Sequence, residues 1–303
     1  MDEARAFAPC HITGFFQILD ETASALKAGS RGAGVSFCKG VETQIKAKHS
    51  SRDLRVFING VAVDSAEVSE HVVDAFSSRF KEMDNLEIIV EHHVEVPLGA
   101  GFGTSGAAAL SLALALNDAL GLGLSRIEAA QLAHVAEVEC KTGLGTVIVE
   151  TLGGVEIRVK PGAPGIGEIK QVTVPKDTAV ACLVFGPLST RRLLSDSVTR
   201  KRVNELGGKL VDSLVNEPSI ANFMQLSRQF AEHVGLITST VRDVLELADD
   251  VGSVCSMPMF GESVFMLAQR ESLDELLRIF HEHCSGGQVF VSNVDFQGAR
   301  VLR

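Results

Sequence analysis

A glycine-rich segment offers the clearest chemistry in the sequence. Residues 97–109 read PLGAGFGTSGAAA, in which alternating glycines precede a Thr-Ser pair and a run of alanines. Glycines at this spacing let a backbone adopt positive φ and come close to a ligand. Where such a loop opens a helix, free N–H groups and the positive end of the helix dipole attract an anion. The segment therefore predicts a phosphate-binding loop, with the hydroxyls of Thr104 and Ser105 suited to a phosphate oxygen or to Mg²⁺.

The surroundings of this segment separate it from two common phosphate loops. No GxxxxGK[ST] segment occurs in the chain, which excludes a Walker A loop. Gly101, Gly103 and Gly106 satisfy G-x-G-x-x-G, but the preceding run 86–96 alternates apolar and charged residues instead of being uniformly apolar. Glu128, the one acid at a suitable distance, falls in a predicted helix. This context is against a dinucleotide-binding fold. A plainer alternative, a turn that only lets a helix pack tightly on a strand, stays open.

Composition limits the classes of protein to which the chain can belong. The 303 residues carry a formal net charge of −10, which is against a nucleic-acid or anionic-membrane partner. The six cysteines are widely spaced and form no CxxC pair, as is typical of reduced thiols in the cytosol. The acidic start MDEARAFAP has no apolar signal region, and the most apolar stretch, 106–124, is interrupted by Asn117 and Asp118. We expect a cytoplasmic protein; whether it forms a homodimer is left open.

Sequence periodicity divides the chain into a β-rich part and a helix-rich part. The change in composition near 186–190 predicts two domains, 1–186 and 187–303. An almost wholly apolar helix follows the glycine segment and must be buried on most sides. The other elements predicted here are two short strands within 4–19, a loop at 29–34, a hairpin at Asn59-Gly60, a helix over 65–82, and a helix over 125–139 that starts with a Ser125–Glu128 capping box.

The glycine segment resembles the P-x-x-x-G-[LF]-G-[ST]-S-[AG]-A signature of the GHMP kinase superfamily. Residues 8–14, APCHITG, resemble the A-P-G-[KH]-x-x-x-G motif of that superfamily, with Cys10 in place of glycine. Residues 252–265 lie where its third motif belongs, although most of the glycines are replaced. The resemblance implies an α+β, two-domain GHMP-kinase-like fold. In that fold a β-rich N-terminal ATP-binding domain holds a buried helix, and a helix-rich C-terminal domain packs on a small antiparallel sheet.

One branch of the superfamily fits more of the chain. The segments APCHITGFF, GSRGAG, TGLG, KPGAPG and SMPMFGESVF together resemble the archaeal pantoate kinases. This resemblance implies a small-molecule kinase that uses ATP and Mg²⁺ to convert pantoate to 4-phosphopantoate in coenzyme A biosynthesis. Two alternatives stay open. One is another GHMP kinase acting on homoserine or a mevalonate derivative, and the other is a nucleotide-binding protein with little kinase activity.

The resemblance also implies roles for individual residues. Ser105 and Glu137 are expected to hold Mg²⁺, with Glu139 as the alternative carboxylate; a solvated helix face is the plain alternative for Glu137. Many GHMP kinases place an aspartate where this chain has Thr146. Ser105, Glu137 and Thr146 are thus the predicted catalytic residues. The residues expected to surround the nucleotide phosphates are Pro97, Gly99, Ala100, Gly101, Phe102, Gly103, Thr104, Ser105 and Gly106.

A pantoate pocket needs a cation for the carboxylate and an apolar wall for the two methyl groups. Arg31 is the predicted cation, because a guanidinium matches a carboxylate in bidentate fashion. Ser30 and His11 are predicted to hydrogen-bond the substrate hydroxyls. The plain alternatives are a surface arginine and a packed histidine. Two further arginines, at 191 and 192, are weaker candidates for an anion.

Overall fold

The computed structural model describes residues 2–188, 195–283 and 286–303, so Arg191 and Arg192 lie outside the described residues. Strands and helices mix in two sheets. The strands are β1 (Asp2–Leu19), β2 (Gly29–His49), β3 (Asp53–Ile58), β4 (Val61–Ala62), β5 (Leu86–Val94), β6 (Val155–Lys160), β7 (Glu168–Val172), β8 (Thr178–Pro187), β9 (Gly261–Gln269), β10 (Gln288–Asn293) and β11 (Arg300–Leu302). The helices are α1 (Glu67–Arg79), α2 (Thr104–Ala119), α3 (Arg126–Cys140), α4 (Thr146–Leu152), α5 (Ser197–Asn216), α6 (Ile220–Val234), α7 (Ser239–Asp250) and α8 (Asp274–His283). The predicted α+β class is confirmed.

The first sheet has eight strands, and β1 and β2 form its centre. The sequence prediction of two short strands within 4–19 is wrong, because β1 is one strand whose register shifts at Pro9/Cys10 and at Thr13/Phe15. Bulges at these points let the strand bend without ending. The predicted loop at 29–34 is also wrong, because this segment pairs with β1 and β6 as part of β2. At the edge of the sheet, β11 pairs with β1, so that Arg5 faces Leu302.

Helix α2 lies at the centre of the molecule. Its predicted burial is confirmed, since residues from Ala109 to Leu116 are all buried. It packs on β1 and β2 on one side and on α3 on the other. The Ser125–Glu128 capping box of α3 is present as predicted, and Asn59 and Gly60 form the β3–β4 turn with positive φ. The packing of α2 on β1, β2 and α3 fixes the position of its N-terminus, and therefore of the glycine segment that precedes it.

The second sheet has three antiparallel strands in the order β10-β8-β9. Helices α5 and α6 pack against β1 of the first sheet, whereas α7 and α8 pack on the second sheet. Strand β8 spans the predicted domain boundary at 186/187, and β11 returns to the first sheet. The boundary itself stays a prediction. Over the three described ranges, no helix combines the length and the apolar character that a membrane crossing requires.

Candidate active site

The glycine segment forms a loop over the N-terminus of α2. Gly99, Gly101 and Gly103 have φ of 73°, 86° and 65°, a left-handed conformation that favours glycine. The carbonyl oxygens of the loop are held by the surrounding protein: that of Phe102 accepts from the His11 N–H at 3.0 Å, and that of Ala100 accepts from Ser263 Oγ at 3.0 Å. Because these carbonyl oxygens are hydrogen-bonded to residues outside the loop, the loop N–H groups and the N-terminus of α2 can point towards an anion.

Glu137 lies beside this loop, close to the C-terminus of α3. It is 1% exposed, and its carboxylate accepts hydrogen bonds from Thr142 Oγ1 at 2.6 Å and from Thr146 Oγ1 at 3.4 Å. The hydroxyl of Ser105 is a third donor. Burial raises the pKa of Glu137, and the three hydroxyl hydrogen bonds oppose this shift. The three predicted catalytic residues therefore meet at one point, whereas the alternative carboxylate, Glu139, is exposed.

A buried arginine lies across the cleft from this cluster. Arg158 on β6 is 2% exposed and donates from Nη1 to Glu156 Oε1 at 3.1 Å. The same carboxylate oxygen lies 3.0 Å from His11 Nε2. Burial lowers the pKa of Arg158, and Glu156 opposes this shift. Arg158 Nε is buried without a hydrogen-bond partner, so the guanidinium keeps a donor for an anion.

Strand alternation decides which of the predicted substrate residues reach the cleft. Ser30 lines it. Arg31 is on the opposite face of β2, where it donates to the carbonyl of Val159 at 3.1 Å and to Asp212 Oδ1 at 2.5 Å. The structure therefore does not bring Arg31 to the lining of the cleft, because the segment is a strand rather than a loop and neighbouring residues of a strand point to opposite faces. Its contact with a substrate carboxylate stays a prediction.

The glycines of GSRGAG make room on the cleft face of β2. A methyl group on Gly32 would lie 2.5 Å from Arg158 Nη2, and one on Gly34 would lie 2.3 Å from His11 Nε2. His11 lines the cleft as predicted, but its Nδ1 faces Thr13 Oγ1 at 3.3 Å and its Nε2 faces Glu156. Both ring nitrogens thus have protein partners, and His11 helps to hold Glu156 in place. The predicted bond from His11 to a substrate hydroxyl stays a prediction.

The cleft between the polar groups has a volume of about 720 Å³, counting its open side. Its apolar lining includes Phe16, Leu144, Met259 and Phe260. The last two belong to the degraded third motif. A few polar groups beside an apolar surface in one cleft are typical of a small-molecule site.

A second carboxyl group lies beneath the glycine loop. Glu150 on α4 is fully buried, and neither of its carboxyl oxygens has a hydrogen-bond partner. A methyl group on Gly103 would lie 2.7 Å from Glu150 Oε1, and one on Gly106 would lie 2.8 Å from Oε2. Burial raises the pKa of Glu150 far above its usual value, with Glu137 and Glu156 adding to the shift and Arg158 opposing it.

The sequence predicted the loop and the Ser105–Glu137 pair, which the structure brings together, but it did not single out Arg158, Glu156 or Glu150. A faint signal existed for two of them, because Glu156 and Arg158 alternate in VEIRVK and must share one face of a strand. That pattern is typical of a solvated face, and only the structure shows the face to be covered. For Glu150 the sequence carries no signal, because its burial beneath the glycine loop depends on tertiary packing.

Comparisons with known proteins agree with this geometry. Residues 67–154 match the model of the GHMP kinases N terminal domain. The chain is 38% identical to a pantoate kinase of Thermococcus kodakarensis, over 92% of each protein. It is 35% identical to a pantoate kinase of Methanocaldococcus jannaschii, over 90% of this chain and 96% of that protein. The chain belongs to the pantoate kinase family of GHMP kinases. A solved structure described as a phosphotransferase related to the CoA biosynthesis pathway superposes on this family member with a TM-score of 0.88, at 33% identity and 99% coverage of both chains.

The donor set at Glu137 suits a hard divalent cation in this pantoate kinase family member. Mg²⁺ prefers oxygen ligands and is commonly held by one or two carboxylates together with substrate phosphates. Ser105 and Glu137 offer a hydroxyl and a carboxylate next to the predicted phosphate loop. Among the described residues there is no cluster of three or more His, Cys, Asp or Glu side chains that could hold a metal ion.

Proposed function

We propose that this chain transfers the terminal phosphoryl group of ATP to the 4-hydroxyl of pantoate, releasing 4-phosphopantoate and ADP for coenzyme A biosynthesis in the cytoplasm. The observation that carries the proposal is the pairing of a buried, incompletely satisfied Arg158 with the glycine loop across one cleft. The guanidinium of Arg158 suits the carboxylate of a small acid, and the glycine loop suits a polyphosphate. The likeness to two pantoate kinases supports the choice of acid.

Each end of the proposed substrate has a candidate partner. The guanidinium of Arg158, which lines the cleft and has one donor without a protein partner, is the candidate for the pantoate carboxylate, and Ser30 is the nearby hydroxyl for its 2-hydroxyl group. Ser105 and Glu137 would hold Mg²⁺, which neutralises charge that develops on the transferring phosphoryl group. Thr146 cannot act as a carboxylate base, but a loose phosphoryl-transfer transition state needs positioning and charge more than it needs a base.

The proposal is tested by ADP release with Mg·ATP on pantoate, homoserine and mevalonate in parallel. We expect turnover on pantoate alone. Turnover on homoserine or mevalonate instead would favour another GHMP kinase activity, and nucleotide binding without turnover on any of the three would favour a nucleotide-binding protein. Concentrations must be determined without absorbance at 280 nm, since the chain has no Trp and no Tyr.

Two matched arginine variants decide where the carboxylate binds. Arg158→Lys removes the bidentate fork but keeps a positive charge, and we expect kcat/KM for pantoate to fall about 10- to 100-fold. Arg31→Lys tests the residue predicted from sequence, and we expect a change of less than about threefold because an exposed pair contributes little. The reverse pattern would return the carboxylate to Arg31 and contradict the assignment to Arg158.

A further inference from the structure

Three apolar side chains form a continuous surface on one side of the cleft, here called the apolar wall: Phe16, Met259 and Phe260. Each lines the cleft and keeps only 5% or 6% of its surface exposed. The rings of Phe16 and Phe260 meet edge to face, with centroids 5.7 Å apart and planes at 80°. From behind, Phe16 is supported by Phe230 at 5.9 Å. The wall is therefore packed to a fixed shape before any ligand arrives.

Phe260 is held in an unusual backbone conformation. Its φ is +65°, in the left-handed region that bulky residues rarely adopt. Such a conformation persists only where the surroundings enforce it, and it is often found at ligand sites. Holding the ring of Phe260 in the cleft lining therefore costs conformational free energy, which a glycine or asparagine at the same position would largely avoid.

The wall is also fixed relative to the phosphate end of the cleft. The N–H of Met259 donates to the carbonyl of Thr13 on β1 at 3.2 Å. Next to Phe260, Gly261 touches the glycine loop so closely that a methyl group there would lie 1.9 Å from the carbonyl oxygen of Ala100. The position of the wall relative to the glycine loop is thus set by direct backbone contact.

We propose that the apolar wall contacts the two methyl groups on C3 of pantoate and makes the enzyme prefer this branched acid to straight-chain dihydroxy acids. The inference rests on the proposed function. In the proposed function Arg158 and Ser30 bind the carboxylate end of pantoate, and the glycine loop holds the phosphoryl donor next to the 4-hydroxyl; all of these residues line the same cleft as the wall. The quaternary carbon lies between these two ends of pantoate, and the wall is the apolar surface available to it. Polar groups alone would not distinguish a substrate without methyl groups.

The test compares pantoate with 2,4-dihydroxybutanoate, which keeps the carboxylate and both hydroxyls but lacks the methyl groups. For the natural sequence we expect kcat/KM to favour pantoate by about 100-fold, since one carbon group in a fitted apolar pocket is worth roughly tenfold or more. In Phe260→Gly, which removes the ring while suiting the left-handed backbone, the preference should fall to about tenfold or less. The loss should come from pantoate, with the analogue changed by less than about threefold.

Control variants separate this inference from other failures. Phe296→Ala removes a ring that is 48% exposed and outside the cleft lining, and it should keep the full preference. If Phe260→Gly is poorly folded by circular dichroism, Phe260→Leu and Met259→Ala provide the same comparison, and each should lower the preference at least threefold.

The outcomes distinguish the inference from the proposed function. Equal losses on both acids in the wall variants, or an unchanged preference, would overturn the inference alone. Equal use of both acids by the natural sequence would also overturn the inference and leave the kinase activity standing. No turnover of either acid by the natural sequence would instead remove the proposed function.

Discussion

Glu150→Gln is expected to stabilise the protein at neutral and alkaline pH. The carboxyl group of Glu150 is fully buried and has no hydrogen-bond partner, and burial raises its pKa far above the usual value. Its pKa in the folded state is therefore higher than in the unfolded state. Stability from such a group is fully present below the unfolded pKa and is lost as the pH rises towards the folded pKa. Glutamine keeps the shape and does not ionise.

The size of the effect follows from proton linkage. Above the unfolded pKa of about 4.3, each further pH unit costs the folded state about 1.4 kcal/mol, until the folded pKa is reached. Glutamine still buries an amide without partners, so it recovers only this ionisation part, and we expect a gain of about 1–3 kcal/mol at pH 7. For a chain of this size that corresponds to a Tm increase of roughly 2–4 °C per kcal/mol.

The assay is thermal unfolding followed by circular dichroism at pH values from 5 to 8.5. The natural sequence should lose stability across this range more steeply than Glu150→Gln, and the two should converge near pH 5. Glu139→Gln is the matched control, because Glu139 is an exposed glutamate near the end of α3, and its profile should follow that of the natural sequence. A Glu150→Gln protein that melts at or below the natural temperature at pH 8, with the same pH slope, would refute the reasoning.

Further variants probe the cleft and one buried histidine elsewhere in the protein. Ser105→Ala and Glu137→Ala should each lower kcat at least about 100-fold while leaving Tm within a few degrees; near-normal rates in both would remove the proposed Mg²⁺ site. Thr146→Asp puts a carboxylate beside the buried Glu137, so we expect a lower Tm, and a rise in kcat would show that a base is useful here. His92 is buried with its pKa lowered to about 4, so it adds stability that is present above pH 6.5 and lost as the pH falls towards 4; in His92→Gln, urea unfolding should show a weaker acid sensitivity over that interval.

The parts of the site that could be predicted are those in which local sequence dictates local conformation. Alternating glycines before a helix determine the backbone of the phosphate loop, and Ser105 needs only the start of that helix to be located. The GSRGAG segment misled the prediction because glycines usually mark loops. Here Gly32 and Gly34 are strand residues that leave space for side chains from β6 and β1. Whether a strand residue faces a cleft depends on what covers that face, and periodicity within one strand does not contain this information.

Tertiary burial accounts for the other differences. Arg31 and Arg158 have the same chemistry in the sequence, and only the packing of β6 against β2 decides which guanidinium is buried in the cleft. The prediction of two short strands within 4–19 was wrong because β-bulges absorb the irregularity over a long pairing with β2. Local propensity favoured a turn there, and the hydrogen bonds of a long ladder outweighed it.

Because β11 pairs with β1, the first sheet can be completed only after residues 300–302 have been synthesised. Arg5 and Leu302 are partners at one edge of the sheet that carries the phosphate loop. During synthesis at about 5–20 residues per second, this edge of β1 therefore stays unpaired for many seconds before β11 leaves the ribosome. An open strand edge is a template for association with other chains. We therefore expect nascent or truncated chains that lack residues 300–302 to depend on chaperones, although their phosphate loop and helices are already present.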